Sequence, residues 1–105
     1  MRESEIEAYL VKRVTALDGI VRKVRWIGRR DAPDRLVAVP PRRTPKVNHV
    51  LALVELKATG EDPRHGQWLE INALRLAGVR VEVIDSIEGV DDLLRQSTKR
   101  RAKSG

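Results

Sequence analysis

The stretch His49–Lys57, HVLALVELK, decides the fold and ends in the candidate site. Six of its residues are apolar, and such a run rich in Val and Leu predicts a strand that is buried on both faces. Because side chains alternate along a strand, Glu55 and Lys57 project from the same face where the apolar run ends. Burying an unpaired charge is costly, so we expect both at the rim of a sheet, facing a partner or a ligand.

The composition predicts one small globular domain with a polyanionic partner. The chain has 105 residues, is 41% hydrophobic and carries a formal charge of +6, which favours nucleic acid as that partner. Cysteine is absent, which excludes disulfides, thiolate metal sites and a cysteine nucleophile. No apolar run approaches the roughly 20 residues of a membrane helix, and no signal peptide is visible. We therefore expect a cytoplasmic protein with no membrane partner.

Hydrophobic periodicity predicts an α/β fold with the order αβββαβα. The first helix is predicted from an apolar stripe at spacings of four, four and three residues, formed by Ile6, Leu10, Val14 and Leu17. The predicted helices cover Glu3–Leu17, Arg64–Ala77 and Ile87–Gln96, and the predicted strands cover Ile20–Ile27, Asp34–Val39, His49–Lys57 and Val79–Asp85. Residues 1–96 form the predicted domain, and Ser97–Gly105 is predicted to be a basic, disordered tail.

The main geometric inference concerns the second and third predicted strands. The segment Pro40–Pro45 contains three prolines and suits a long connection between antiparallel strands. The start of one strand then lies beside the end of the next, which brings Asp34 toward Glu55 and Lys57. Two carboxylates at this junction suit Mg²⁺ or Mn²⁺, with the backbone carbonyl of Leu56 as a further ligand. A nearby lysine can orient or deprotonate a water, so we predict a metal-assisted hydrolytic site.

Four motifs in a fixed order resemble the VRR-NUC branch of the PD-(D/E)XK nucleases. They are Glu3-Ser-Glu-Ile, Pro33-Asp34-Arg-Leu-Val, Val54-Glu55-Leu-Lys57 and Gln67. The chain looks most similar to the compact, stand-alone, phage-type members, from Glu3 to about Leu94. The resemblance implies an αβββαβ core in which helices flank a mixed sheet. It also implies a metal-dependent, structure-selective DNA endonuclease of branched DNA, such as four-way junctions or flaps, in a phage or bacterial setting.

The resemblance also implies roles for particular residues. Asp34 and Glu55 would hold the metal, and Lys57 would serve the attacking water. Gln67 matches the glutamine of the second helix of the family. The alternative function is a basic nucleic-acid-binding module without nuclease activity, but the expected catalytic positions are all filled by competent residues, which favours the enzyme.

The acid of the first helix has two candidates, and the loop before Asp34 departs from the family pattern. The pattern Glu-x-Glu-aliphatic and the helical projection point to Glu3 as the acid of the first helix, and Glu7 is the alternative. The family loop reads Gly-x-Pro-Asp, whereas here Ala32 precedes Pro33 and Gly28 lies further back.

Basic residues and symmetry add two further predictions. Candidate phosphate contacts are Arg29 and Arg30, which border the site, and Arg42 and Arg43. A homodimer is predicted because one such site cuts one phosphodiester, whereas a four-way junction has approximate two-fold symmetry. The candidate interfaces are the terminal helix, with Val90, Leu93 and Leu94, and the second helix around Trp68.

Overall fold

The chain follows the predicted order of helices and strands, with a small two-stranded ribbon added. The computed structural model describes residues 1–43, 46–47 and 49–104, and the side chains of residues 1–43 and 49–95. Its elements are α1 (Glu3–Ala16), β1 (Ile20–Lys23), β2 (Arg35–Val39), β3 (Arg42–Arg43), β4 (Lys46–Val47), β5 (Val50–Leu56), α2 (His65–Leu76), β6 (Val81–Ile84) and α3 (Ile87–Ser104). The predicted α/β class, with a mixed sheet flanked by helices, is confirmed.

The main sheet has the strand order β1-β2-β5-β6. Strand β2 runs antiparallel to β1 and β5, and β6 runs parallel to β5. Arg35 lies opposite Val54, so the residue before β2, Asp34, comes beside Glu55 as predicted. The ribbon of β3 and β4 occupies the long connection between β2 and β5.

Helices α1 and α3 cover one face of the sheet. Their buried side chains are Ile6, Leu10 and Val14 from α1, and Val90, Leu93 and Leu94 from α3; each is at most 6% exposed. The spacing of four residues in α1 places its three apolar side chains on one stripe, which packs on the valines of β2 and β5. The three α3 residues are thus part of the monomer core, so their assignment as a dimer interface is wrong.

Helix α2 covers the other face only in part. Ile71 packs against Leu53 and Val81, and Trp68 is partly buried beside them. The start of β5 lies beyond this helix, and Leu51 is 55% exposed. The prediction that this strand is buried on both faces is therefore correct for most of its length and wrong for Leu51.

Two element boundaries differ from the prediction by more than two residues. Strand β1 ends at Lys23 rather than Ile27, because the chain turns there into the loop that leads to Asp34. Helix α3 continues to Ser104, past the predicted end at Gln96, since no glycine or proline interrupts this basic segment. Its side chains after Arg95 lie outside the described residues, and the assignment of residues 97–105 as a separate basic tail stays a prediction. None of the helices in the described residues combines the length and hydropathy of a membrane span.

Candidate active site

Asp34, Glu55, Lys57 and Gln67 come together at one rim of the main sheet. Asp34 precedes β2, Glu55 is the second-last residue of β5 and Lys57 follows that strand. Leu53, on the same face of β5 as Glu55 and Lys57, packs toward α2, so these side chains lie on the side of the sheet that carries Gln67. The side chain of Glu55 is 10% exposed and that of Lys57 14%, whereas that of Asp34 is 53% exposed. The predicted convergence of the two strand ends is thus present.

Glu55 is the most deeply embedded acid of the group. Its Oε2 accepts a hydrogen bond from Gln67 Nε2 at 3.1 Å and lies 3.9 Å from Lys57 Nζ. Burial raises the pKa of Glu55 to about 7, the Lys57 ammonium opposes this shift, and the carboxylates of Asp34 and Glu3 add to it. The charges of Asp34 and Glu3 therefore act on Glu55, and a divalent cation would offset the repulsion among these three carboxylates.

Gln67 ties Glu55 to the first turn of α2. Its Oε1 accepts a hydrogen bond from the backbone N–H of Arg64, the residue before the helix, at 2.8 Å. Its Nε2 donates to Glu55, so both ends of the amide are engaged and its orientation is set. Gln67 itself is buried, although it is polar. The bond to Glu55 orients a carboxylate that would otherwise be free to rotate.

The two candidate acids of α1 have different surroundings. The Glu7 carboxylate forms an ion pair with the guanidinium of Arg35, which is buried. Glu3 is exposed at the start of α1, and its charge contributes to the raised pKa of Glu55. The pairing of Glu7 with Arg35 and the effect of the Glu3 charge on Glu55 favour Glu3 as the α1 acid of the site, and its role stays a prediction.

Arg35 is the residue that sequence reasoning missed. Besides contacting Glu7, its Nη1 lies 2.8 Å from Asp34 Oδ1, so one guanidinium holds two acids. A signal was present in the sequence: Arg35 alternates with Val37 and Val39 on one face of β2, and an arginine on a buried face requires acidic partners.

The loop before β2 reaches Asp34 through a left-handed residue. Asp31 has φ 63°, and it stands where the Gly-x-Pro-Asp pattern has its glycine. Aspartate enters this region more readily than most residues, so the turn is kept without the glycine. The loop is also fixed to the segment that follows β1, since Trp26 Nε1–H donates to Pro33 O at 2.8 Å and Val24 N–H donates to Asp34 O at 2.9 Å.

The four candidate arginines divide into two groups. Arg29 and Arg30 lie in the loop that leads to Asp34, and Arg29 forms an ion pair with Glu70 of α2 at 2.6 Å. Arg42 and Arg43 follow the opposite end of β2, about 17 Å away for five residues of strand. Of the four, only Arg29 and Arg30 belong to the loop that leads to Asp34.

The donor set at this rim fits a hard divalent cation. Asp34 and Glu55 supply carboxylate oxygens, the ligand type that Mg²⁺ and Mn²⁺ prefer. The N–H groups of Leu53 and Lys57 donate to the carbonyls of Arg80 and Ile84, on the β6 side of the strand. Strand alternation therefore turns the Leu56 peptide groups to the opposite side, toward β2. Within the described residues, no group of three or more histidine or acidic side chains is arranged to hold a metal alone, so the remaining ligands would be water and phosphate oxygen.

Comparisons with known proteins show the family and the fold. The chain is 42% identical over 86 residues to protein p44 of Acyrthosiphon pisum secondary endosymbiont phage 1, which is named as a candidate nuclease; the match covers 82% of this chain and 85% of p44. A solved structure described as a VRR_NUC domain matches with a TM-score of 0.73 at 34% identity, over 89% of this chain and 94% of that one. No family model matches the sequence.

Proposed function

This chain belongs to the VRR-NUC nucleases, and on that premise we propose that it is a metal-dependent endonuclease of branched DNA. The observation that carries the proposal is the meeting of Asp34, Glu55, Lys57 and Gln67 at one rim of the sheet. The formal charge of +6 suits a polyanionic substrate. The phage origin of p44 supports a cytoplasmic setting in an infected bacterium.

The groups that would hold the metal are the carboxylates of Asp34 and Glu55 and the carbonyl of Leu56. A divalent cation bound there would supply a Lewis acid for phosphate oxygen and would make bound water more acidic. Arg35 holds Asp34 from one side, and Gln67 orients Glu55 from the other. Two carboxylates from neighbouring strands are thereby kept in place by side chains that do not themselves bind the metal.

Hydrolysis forms one oxygen–phosphorus bond, breaks the bond to the leaving oxygen and moves a proton onto that oxygen. The Lys57 ammonium lies beside Glu55 and is placed to orient the attacking water and to stabilise the extra negative charge on the phosphate. Because Lys57 emerges from the same strand face as Glu55, the rigid β5 backbone sets the distance between them.

Substrate contact begins at the loop before Asp34. Arg30 is exposed there, and Arg29 is exposed beside Glu70, so both can reach phosphates next to the scissile bond. Arg42 and Arg43 lie at the far end of β2 and would contact a second, more distant stretch of the substrate. Two separated regions of phosphate contact are compatible with the arms of a branched DNA, and cleavage of branched and linear substrates distinguishes the two.

A homodimer would match the two-fold symmetry of a four-way junction. Helix α2 carries an exposed apolar stripe at spacings of four and three residues, formed by Leu69, Ala73 and Leu76. Leu69 is 59% exposed and Leu76 is 89% exposed. We place the interface on this stripe, because the apolar side chains of α3 are already buried in the monomer core.

The test is cleavage of labelled four-way, flap, splayed and linear DNA with Mg²⁺, with Mn²⁺ or with a chelator. We expect incision of branched DNA in either metal and none in chelator. The Asp34→Asn variant keeps the shape of the side chain and should bind DNA without cutting it. Tight binding without incision by the unaltered protein in every metal would instead support the non-catalytic binding module.

A further inference from the structure

We propose that Asp31 is a positioning residue, which fixes the metal-binding carboxylate of Asp34 by clamping its loop onto the first turn of α2. The inference rests on the proposed function and extends it to three residues outside the catalytic set. These are Asp31, Arg64 and Gly66, and we call them the loop clamp.

The first part of the loop clamp is an ion pair. Asp31 Oδ1 lies 2.8 Å from Arg64 Nη2. An ion pair this exposed contributes little to overall stability, because the Arg64 side chain is 72% exposed. Its effect is geometric: it ties a loop residue three positions before Asp34 to the residue before α2.

The second part is a steric fit at Gly66. A Cβ atom at this position would lie 2.4 Å from Asp31 Oδ2 and 3.3 Å from Asp31 Cγ. Gly66 does not have a positive φ, so its backbone would accept alanine, which favours helices more than glycine does. The Asp31 carboxylate is the group that a methyl at position 66 would displace, and the ion pair to Arg64 would be displaced with it.

The third part is the connection to Glu55. The residue that Asp31 holds, Arg64, donates its backbone N–H to Gln67 Oε1, and Gln67 Nε2 donates to Glu55. The first turn of α2 therefore anchors both the loop that carries Asp34 and the side chain of Glu55. A shift of the clamp would change the separation of the two metal-binding carboxylates.

A double-mutant cycle tests the clamp. Gly66→Ala is made in the wild type and in an Asp31→Gly background, where the left-handed conformation at position 31 is kept and the obstructing carboxylate is gone. Gly89→Ala is the matched control, since it adds the same methyl group to the first turn of α3, 3.2 Å from Ile84 Cγ2. Asp31→Asn, which keeps an acceptor for Arg64, should remain close to the wild type.

Two measurements are made on each variant. The first is hydrogen exchange, by NMR in chelator, of the Trp26 indole and the Val24 amide, which donate to the carbonyls of Pro33 and Asp34. The indole is readily identified, because the chain has two tryptophans. The second is Mn²⁺ affinity by calorimetry.

In the wild type, Gly66→Ala should speed exchange at both groups and weaken Mn²⁺ binding about tenfold. In the Asp31→Gly background it should add nothing further to either measurement, and Gly89→Ala should leave both unchanged. An equal effect of Gly66→Ala in the two backgrounds, or no effect on exchange in the wild type, would overturn the clamp. Failure of the wild type to bind Mn²⁺ would contradict the metal site, while the exchange data would still decide the clamp.

Discussion

Replacing Glu55 by glutamine should stabilise the metal-free protein at neutral and alkaline pH. The pKa of Glu55 is raised from 4.5 to about 7, chiefly by burial. The folded state binds the Glu55 proton more tightly than the unfolded state does. The stability that this proton contributes to the fold is therefore fully present below pH 4.5 and is lost as the pH rises through 7. The shift corresponds to a loss on the order of 3 kcal/mol in the free energy of unfolding. Glutamine resembles the protonated acid and avoids this loss.

The assay is urea unfolding in chelator between about pH 5 and pH 8. Glu55→Gln and the wild type should be similarly stable at the acidic end, and the variant should be the more stable one at the alkaline end. Glu61→Gln is the control, since it removes a charge from an exposed glutamate in the loop after β5. Parallel pH profiles for wild type and Glu55→Gln would refute the argument that burial holds a proton on Glu55. In saturating Mg²⁺ the stability of the wild type should instead rise with pH, because metal binding requires the ionised Glu55 carboxylate.

Three further predictions address the remaining parts of the site and the surface. Lys57→Met should abolish cleavage while calorimetry still detects metal, because lysine is not a ligand; loss of metal binding would mean that the site is built differently. DNA affinity should fall steeply with salt, by about 0.9 log unit per log unit of salt for each neutralised phosphate, and deletion of residues 97–105 should lower this slope without changing the preferred DNA structure. A salt-independent affinity would contradict this. Light scattering should report twice the 11.9 kDa chain mass, and Leu76→Glu should halve it whereas Val11→Glu, an exposed substitution on α1, should not. A monomeric wild type that still makes paired cuts would refute the symmetry argument.

Several features of the site follow from local sequence patterns. The apolar run of β5 and the prolines after β2 predict two antiparallel strands, and strand alternation then brings Asp34 beside Glu55 and Lys57. These rules work because side-chain direction along a strand depends on the backbone alone. The glutamine of α2 was predicted by family resemblance, and the structure shows it bonded to Glu55.

Partner choice between distant side chains required the tertiary structure. Arg35 and Glu7 are 28 positions apart, and their pairing leaves Glu3 as the α1 acid whose charge acts on Glu55. The clamp between Asp31 and Arg64 spans 33 positions. Such contacts depend on how helices dock on the sheet, to within a few ångströms.

The assignment of apolar stripes to core or surface also required the tertiary structure. Periodicity shows that α2 and α3 each carry apolar side chains, but it does not show which stripe meets another element. Docking of α3 on the sheet buries Val90 and Leu93, and the limited reach of α2 leaves Leu51 exposed. Leu76 is exposed because it lies on the outer stripe of α2, which no other described element covers. The burial of a residue depends on which element packs against it, and the sequence of a single helix or strand does not specify that element.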